Sequence, residues 1–471
     1  MFRTAINFLS KTHRLTTSLT LGFAAVAVAA PITIVQTSNF LTQIALTAAL
    51  LCPLLLIILG VRPLAMSLLC IAFALEPLKA IRVTPSLAYG DVALVLAVGL
   101  GALVSGWVYR RISLPTAFVA GCAILALGGL VSSFLSSDLV SLMNLARLII
   151  TAIALPFLAA VWQPTMAQVR LLAGSYLVGQ SASVLYGIMT PVSRYINRAE
   201  GLSDHPNHFG LASGLAVGLA VFLFLSGSGW IRWFALTTGT LCGFGVFSSG
   251  SRAALLAVLA MAVAVALIRR AWKTSVIGMI AIGLAVLAQE RLLALIPSGS
   301  ALYRLLGEDA ATDANAARVQ ALTVNFDAFL ANPLFGRGFA NSLEAHNIFL
   351  QLAVSSGVIG LAGFVCILYA AIRPLWRTEI GVARWLALPP LGYLVAGMVS
   401  PVLWDRYVWL LIGLSLLVLR HCEDPMRVAS ENPGRERPQA GRARALTSNV
   451  HREDSMVSTL PSSSTSLRPS T

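Results

Sequence analysis

The residues of this chain best suited to chemistry are basic. Arg198, Arg252, Arg318 and His346 each stand in or beside a polar stretch that borders an apolar run. An arginine suits a phosphate, because its planar fork makes paired hydrogen bonds and never loses its charge. A histidine titrates near neutral pH and is the usual general base. Such a set fits a reaction in which an anionic group leaves while a hydroxyl is deprotonated. Each residue also has a plainer reading. Arg198, in RAEGLSDHPN, is either an anion contact or a solvated loop arginine. His205-Pro206-Asn207-His208 reads as a turn with Asn207 capping a helix, and His205 is a further substrate-binding candidate. Ser251 is a candidate cap for the helix that follows, which puts Arg252 in its first turn. That is a poor place for a cation, since the helix dipole is positive there. Arg252 is therefore an anion contact or a snorkelling interfacial anchor. His346 opens another apolar run and is either a base or a cap, with Asn347 as cap or support.

These residues depend on one segment, Arg318 to Gly360, RVQALTVNFDAFLANPLFGRGFANSLEAHNIFLQLAVSSGVIG. Ala310 to Leu330 predicts an amphipathic helix with Val319, Leu322, Phe326 and Phe329 on its apolar stripe. Asn332-Pro333 ends it. Arg337, between two glycines, reads as a turn residue. The acidic residues Glu308, Asp309, Asp313 and Asp327 are scattered, without the paired spacing that holds a divalent metal. No metal site and no cofactor are expected, and the chain shows no P-loop or dinucleotide fingerprint.

Nearly everything else is apolar. The chain is 57% hydrophobic and only 11% charged, against roughly 25% charged residues in soluble domains. Apolar runs near the ~20-residue spanning length recur, so the expected fold is all-α and polytopic in a membrane. A membrane β-barrel would show short alternating segments instead. Spans are expected near 16–36, 40–60, 63–78, 88–108, 114–135, 140–161 and 167–188, then 208–226, 231–249, 253–269, 274–290, 346–371, 384–400 and 403–420, fourteen in all.

With the N-terminus inside, the inner loops hold Arg62, Arg110, Arg111, Arg232, Arg269, Arg270, Lys273, Arg373, Arg377 and Arg384. The outer short loops hold Lys79, Arg82, Arg194, Arg198, Arg252 and Arg406. The inner excess agrees with the positive-inside rule and accounts for much of the net charge of +14 without nucleic acid as a partner. It also leaves the outer arginines at positions that insertion does not favour. The six cysteines show no metal-like spacing and read as small buried apolar residues.

The organisation expected is an N-terminal helical region (1–190), a core (191–365) with an outer loop (291–345), C-terminal helices (366–422) and a disordered cytoplasmic tail (423–471), rich in Pro, Ser, Arg and Glu.

The ordered motifs R-x-x-G-L-x-x-H-P-N (198–207), S-G-S-R (249–252), P-L-F-G-R-G-F with H-N-I-F-L-Q-L (333–352) and S-S-G-V-I-G resemble the O-antigen ligase and polymerase superfamily, over about a third of the chain. Each motif is loose alone; their order, common side and shared loop are more specific. The resemblance implies a bacterial inner-membrane glycosyltransferase of GT-C type with a periplasmic active site. It implies a donor glycan on undecaprenyl diphosphate, membrane lipids as surroundings, and metal-independent, inverting transfer. Carried over by position, Arg198 and Arg252 match diphosphate-contacting arginines, Arg318 a loop arginine, and His346 the essential histidine. The fourteen spans exceed the twelve or so common in ligases. Two reactions fit: a ligase using lipid A–core as acceptor, or a polymerase extending a growing polysaccharide. A transporter or flippase is a third reading. Its usual sign is broken helices with midplane polar groups, and here few ionisable residues, such as Arg147 and Arg170, lie deep in predicted spans.

Overall fold

The computed structural model describes residues 61–84, 87–104, 114–162, 164–190, 198–270, 300–306, 312–340 and 345–416. The expected spans 16–36, 40–60 and 274–290 and the expected tail 423–471 lie outside the described residues. The others coincide with helices.

In chain order these are α1 (Val61–Leu75), a hairpin of β1 (Arg82–Thr84) and β2 (Leu87–Ala88), α2 (Tyr89–Val104), α3 (Thr116–Leu135), α4 (Leu139–Trp162), α5 (Met166–Met189) and α6 (Pro206–Ser226). Next come α7 (Trp230–Ser248), α8 (Arg252–Ile268), the short α9 (Ala301–Leu306), α10 (Thr312–Ala331), α11 (Ile348–Ile372), α12 (Leu388–Gly397) and α13 (Arg406–Leu416). The small antiparallel hairpin accompanies an otherwise all-α fold, as expected. Among the described residues five helical segments are long and apolar enough to cross a membrane, alongside shorter apolar helices of 10–17 residues. The chain is a multi-pass helical membrane protein. The expected span 384–400 is shorter as an α-helix, because tight 3-10 turns, broken at Gly381, precede α12.

Helices that pack in lipid depend on close backbone approach, which small residues allow. α3 and α11 meet in this way. A Cβ on Gly121 would come within 2.7 Å of the Gly363 carbonyl oxygen, and one on Gly363 within 2.5 Å of Leu125 N. This seam fixes α11, whose start is immediately preceded by the His346-Asn347 pair.

α11 is interrupted at Gly357, which has φ +66°. A break in a membrane helix frees backbone groups that must be satisfied by protein. The loop motif 333–338 does so. Arg337 N donates to Val354 O at 2.7 Å, Gly338 N to Ser355 O at 3.0 Å, and Val358 N to Pro333 O at 2.8 Å. Gly336 and Gly338 take positive φ against this break, where a Cβ would collide with α11 or with Ser136, just after α3, and Ser141 of α4. The Gly-Arg-Gly turn and the Ser-Ser-Gly motif are thus backbone partners of each other.

Candidate active site

One end of the bundle gathers the polar loops. The Ser249–Ser251 turn between α7 and α8 is the hub. Ser251 Oγ accepts from Ala254 N at 3.3 Å and caps α8, as its sequence position predicts. Arg252 is the first residue of α8. Arg198 Nε donates to Ser249 O at 2.9 Å, and an Arg304 guanidinium nitrogen donates to Gly250 O at 2.9 Å. Two arginines from distant segments are therefore tied to one turn.

A cavity of about 350 Å³ opens beside this turn, and Asn207, Arg252, Arg304, Arg318 and His346 line it. Met398 to Ser400, after α12, close another side. The described lining residues include three arginines and no carboxylate. Burial comes first in lowering the Arg304 pKa below its ordinary value, followed by the Arg252 and Arg318 charges. Arg318 is lowered by burial and then by Arg252. Like charges held together at partial burial favour an anion between them.

His346 sits just before α11 with φ +49°, a left-handed conformation that histidine adopts more readily than most residues. Its neighbour Asn347 caps α11: Oδ1 accepts from Phe349 N at 2.9 Å and Leu350 N at 3.0 Å, while Nδ2 donates to Met398 O at 3.0 Å. The cap expected from sequence is present, and it also pins the cavity-closing segment to the histidine.

One expectation is corrected. Asn207 does not cap α6; His205 does, with Nδ1 accepting from Asn207 N at 3.0 Å. A ring nitrogen at the extended N-cap position reaches the free amide first, which leaves the Asn207 side chain to accept from Arg198 at 2.7 Å. The helix expected over 310–330 is present as α10. Leu322 of its apolar stripe lines the cavity beside half-buried Arg318, while Val319 at 62% and Phe326 at 51% are exposed and Asn325 is 1% exposed.

Arg198 and His205 are not among the residues lining the cavity. Arg198 braces Asn207 and the Ser249–Ser251 turn from behind, and His205 holds the start of α6. Burial, His208 and Arg198 together push the His205 pKa down to about 4. Arg337 is exposed, as befits a turn residue. Sequence reasoning missed Arg304, in the short α9; an arginine within the loop expected over 291–345 was the available signal.

Residues 237–365 match the O-antigen ligase family. The match contains Arg252, Arg304, Arg318 and His346, so the resemblance read from the motifs holds for the stretch that builds most of the cavity. It does not reach Arg198, His205 or Asn207. The chain is 29% identical over 119 residues to a candidate polysaccharide ligase of Rickettsia typhi, covering 19% of this chain and 29% of that protein. A counterpart in Rickettsia prowazekii is 28% identical over the same length and coverage. The chain thus spans under a third of the length of these curated relatives.

Proposed function

We propose that this protein is a membrane glycosyltransferase of O-antigen ligase type. It moves a glycan from an undecaprenyl-diphosphate carrier to an acceptor sugar, such as lipid A–core, at the periplasmic face of the bacterial inner membrane. The observation that carries this reading is the meeting of Arg252, Arg304 and Arg318 with His346 around one cavity.

The chemistry follows from that set. The acceptor hydroxyl attacks the anomeric carbon from the face opposite the diphosphate. The new C–O bond forms as the bond to the diphosphate breaks, the electron pair leaves with the phosphate oxygen, and the centre inverts. The hydroxyl proton passes to His346 and then to water. The guanidiniums neutralise the departing diphosphate, the task a divalent ion performs in other transferases. Arg198 and Asn207 keep the cavity wall in register, and Asn347 fixes His346, so that nucleophile and leaving group stay aligned. A lipid-linked diphosphate suits a site at a helix end, where the headgroup meets the loops.

The test is transfer by the full chain from a defined undecaprenyl-diphosphate donor, with and without EDTA. Turnover unaffected by EDTA and lost in Arg252→Lys and Arg304→Lys is expected. Inhibition by EDTA reversed by a divalent ion overturns the arginine-based mechanism. The glycan profile of a deletion strain separates the acceptors: free lipid-linked polymer means a ligase, and single repeat units mean a polymerase.

A further inference from the structure

A second cavity of about 390 Å³ lies beside the first, between α4, α11 and the start of α13. Asn144, Arg147, Gln351, Trp404, Arg406 and Trp409 are among its lining residues. The segment from Met398 to Arg406 joins the two: its first residues line the arginine cavity, and Trp404 and Arg406 line this one. The 333–338 motif continues into its wall, where Phe339 N donates to Ser141 Oγ at 2.7 Å and Asn144 Nδ2 donates to Phe339 O at 3.3 Å.

Gln351 is the telling residue. It is 2% exposed, one turn into α11, and its Oε1 has no hydrogen-bond partner among the described residues. A buried amide oxygen without a donor is costly, and a site that needs this oxygen supplies the missing donor. An unprotonated phosphate cannot do so, since it only accepts. A cationic ligand is disfavoured by Arg147 and Arg406, even though Asp91 pairs with Arg406. A hydroxyl-bearing neutral or acidic ligand satisfies all of these groups. Trp404, 37% exposed and edge-on to Phe339 with ring centroids 6.2 Å apart, offers an indole to the C–H face of a sugar ring.

We propose that this cavity is a sugar subsite. It holds one pyranose or furanose unit of the glycan, with a ring hydroxyl donating to Gln351 Oε1, Asn144 and Arg147 placed to donate to neighbouring oxygens, and Trp404 against the ring. The proposal rests on the glycan-transfer reading, and it adds the residues that select the sugar next to the reacting one. The sugar belongs to the donor glycan or to the acceptor; the chemistry of recognition is the same.

The test uses the full chain in detergent and the oligosaccharide released by mild acid from the source cell's own surface polysaccharide, with Kd read by calorimetry. Gln351→Met, close in shape and apolar, and Trp404→Ala, whose side chain is itself partly exposed, should each weaken binding about tenfold, the order of one hydrogen bond or one stacking contact. Arg252→Lys should leave this binding unchanged. In transfer assays the same two variants should raise KM for one substrate with kcat retained, and the substrate affected tells donor from acceptor. Should Gln351→Met fail to fold, Trp404→Ala decides alone. Binding and KM at wild-type values in the variants overturn the subsite, as does a raised melting temperature in Gln351→Met with unchanged binding, which marks a hydrated cavity only. Gln351-dependent binding in a protein that transfers nothing would sink the transferase reading and leave the subsite standing.

Discussion

Asp405 and the cavity that holds Arg252 lie at the same end of the helices, and the two regions treat charge differently. Asp405 is 1% exposed. It pairs with Lys79, faces His208 Nδ1 at 2.8 Å and accepts from the Tyr407 hydroxyl at 2.8 Å. Arg82 with Asp204 and Arg406 with Asp91 extend the same pattern. Burial alone would raise the Asp405 pKa, but Lys79 and His208 outweigh it and hold the carboxyl well below the ordinary range. Here each cation has a carboxylate, and the network ties the loop after α1, the start of α6 and the start of α13 together. Around Arg252 the lining collects arginines. Paired charge at a membrane edge builds structure; clustered like charge is what a site for an anion requires. The basic residues expected on the outer side therefore differ in their described neighbours: Lys79, Arg82 and Arg406 face carboxylates, and Arg252 faces further arginines.

The sharpest way to break this contrast is to damage each region and read stability and transfer on the same preparation. Asp405→Ala removes the buried carboxylate from Lys79 and His208, which are themselves part-buried, and a loss of about 3 kcal/mol in unfolding free energy is expected, with activity falling only as folded protein is lost. A stable, fully folded Asp405→Ala protein would show that the network is not structural. His346→Ala should do the opposite: transfer falls by about 10²–10⁴-fold, the usual general-base contribution, while melting temperature and donor binding persist. Normal turnover would remove His346 from the mechanism.

Arg252→Lys is the subtler form of the same experiment. It keeps the charge but loses the two-pronged contact, so activity should drop by about 10–100-fold at near-native stability. If Lys serves as well as Arg, the cavity senses only charge.

Acid sharpens the comparison further. The folded His205 pKa of about 4 lies below the ordinary value of roughly 6.5, so the folded state prefers the neutral ring. Its contribution is whole above the unfolded pKa and is lost as pH falls toward the folded one. Asp405 remains ionised across that window. Between pH 7 and about 4.5 the melting temperature of the wild type should therefore fall more than that of His205→Asn, which keeps a non-titrating cap. Parallel curves would show that His205 is not the acid-sensitive group. The smallest effect is expected at Arg337, exposed and used through its backbone. Arg337→Lys should stay within about 0.5 kcal/mol and about twofold in activity, and a large loss would bring its side chain into the site.

What the sequence determined by itself was local. Long apolar runs must be helices in lipid, because their backbone groups have no other partners there. Ser251 and Asn347 cap their helices through bonds that span two or three residues, so their types and positions were enough. The motifs also pointed to Arg252, Arg318 and His346. What only the tertiary structure decided depends on contacts far apart in the chain. Arg304 joins the site through a turn 54 residues earlier. Arg198 moves behind the wall because the α7–α8 turn, 51 residues later, offers Ser249 O. On α10 the polar Arg318 and Asn325 are less exposed than Val319 and Phe326 of the apolar stripe, which periodicity within the helix does not foretell. Phe335 to Phe339 docks where α11 breaks, and the acceptor of the Gly338 amide's second contact, Ser132 Oγ, comes from 206 residues away. Periodicity reports neighbours within a helix; which helix end meets which loop is settled by packing and by the need to satisfy every buried backbone group.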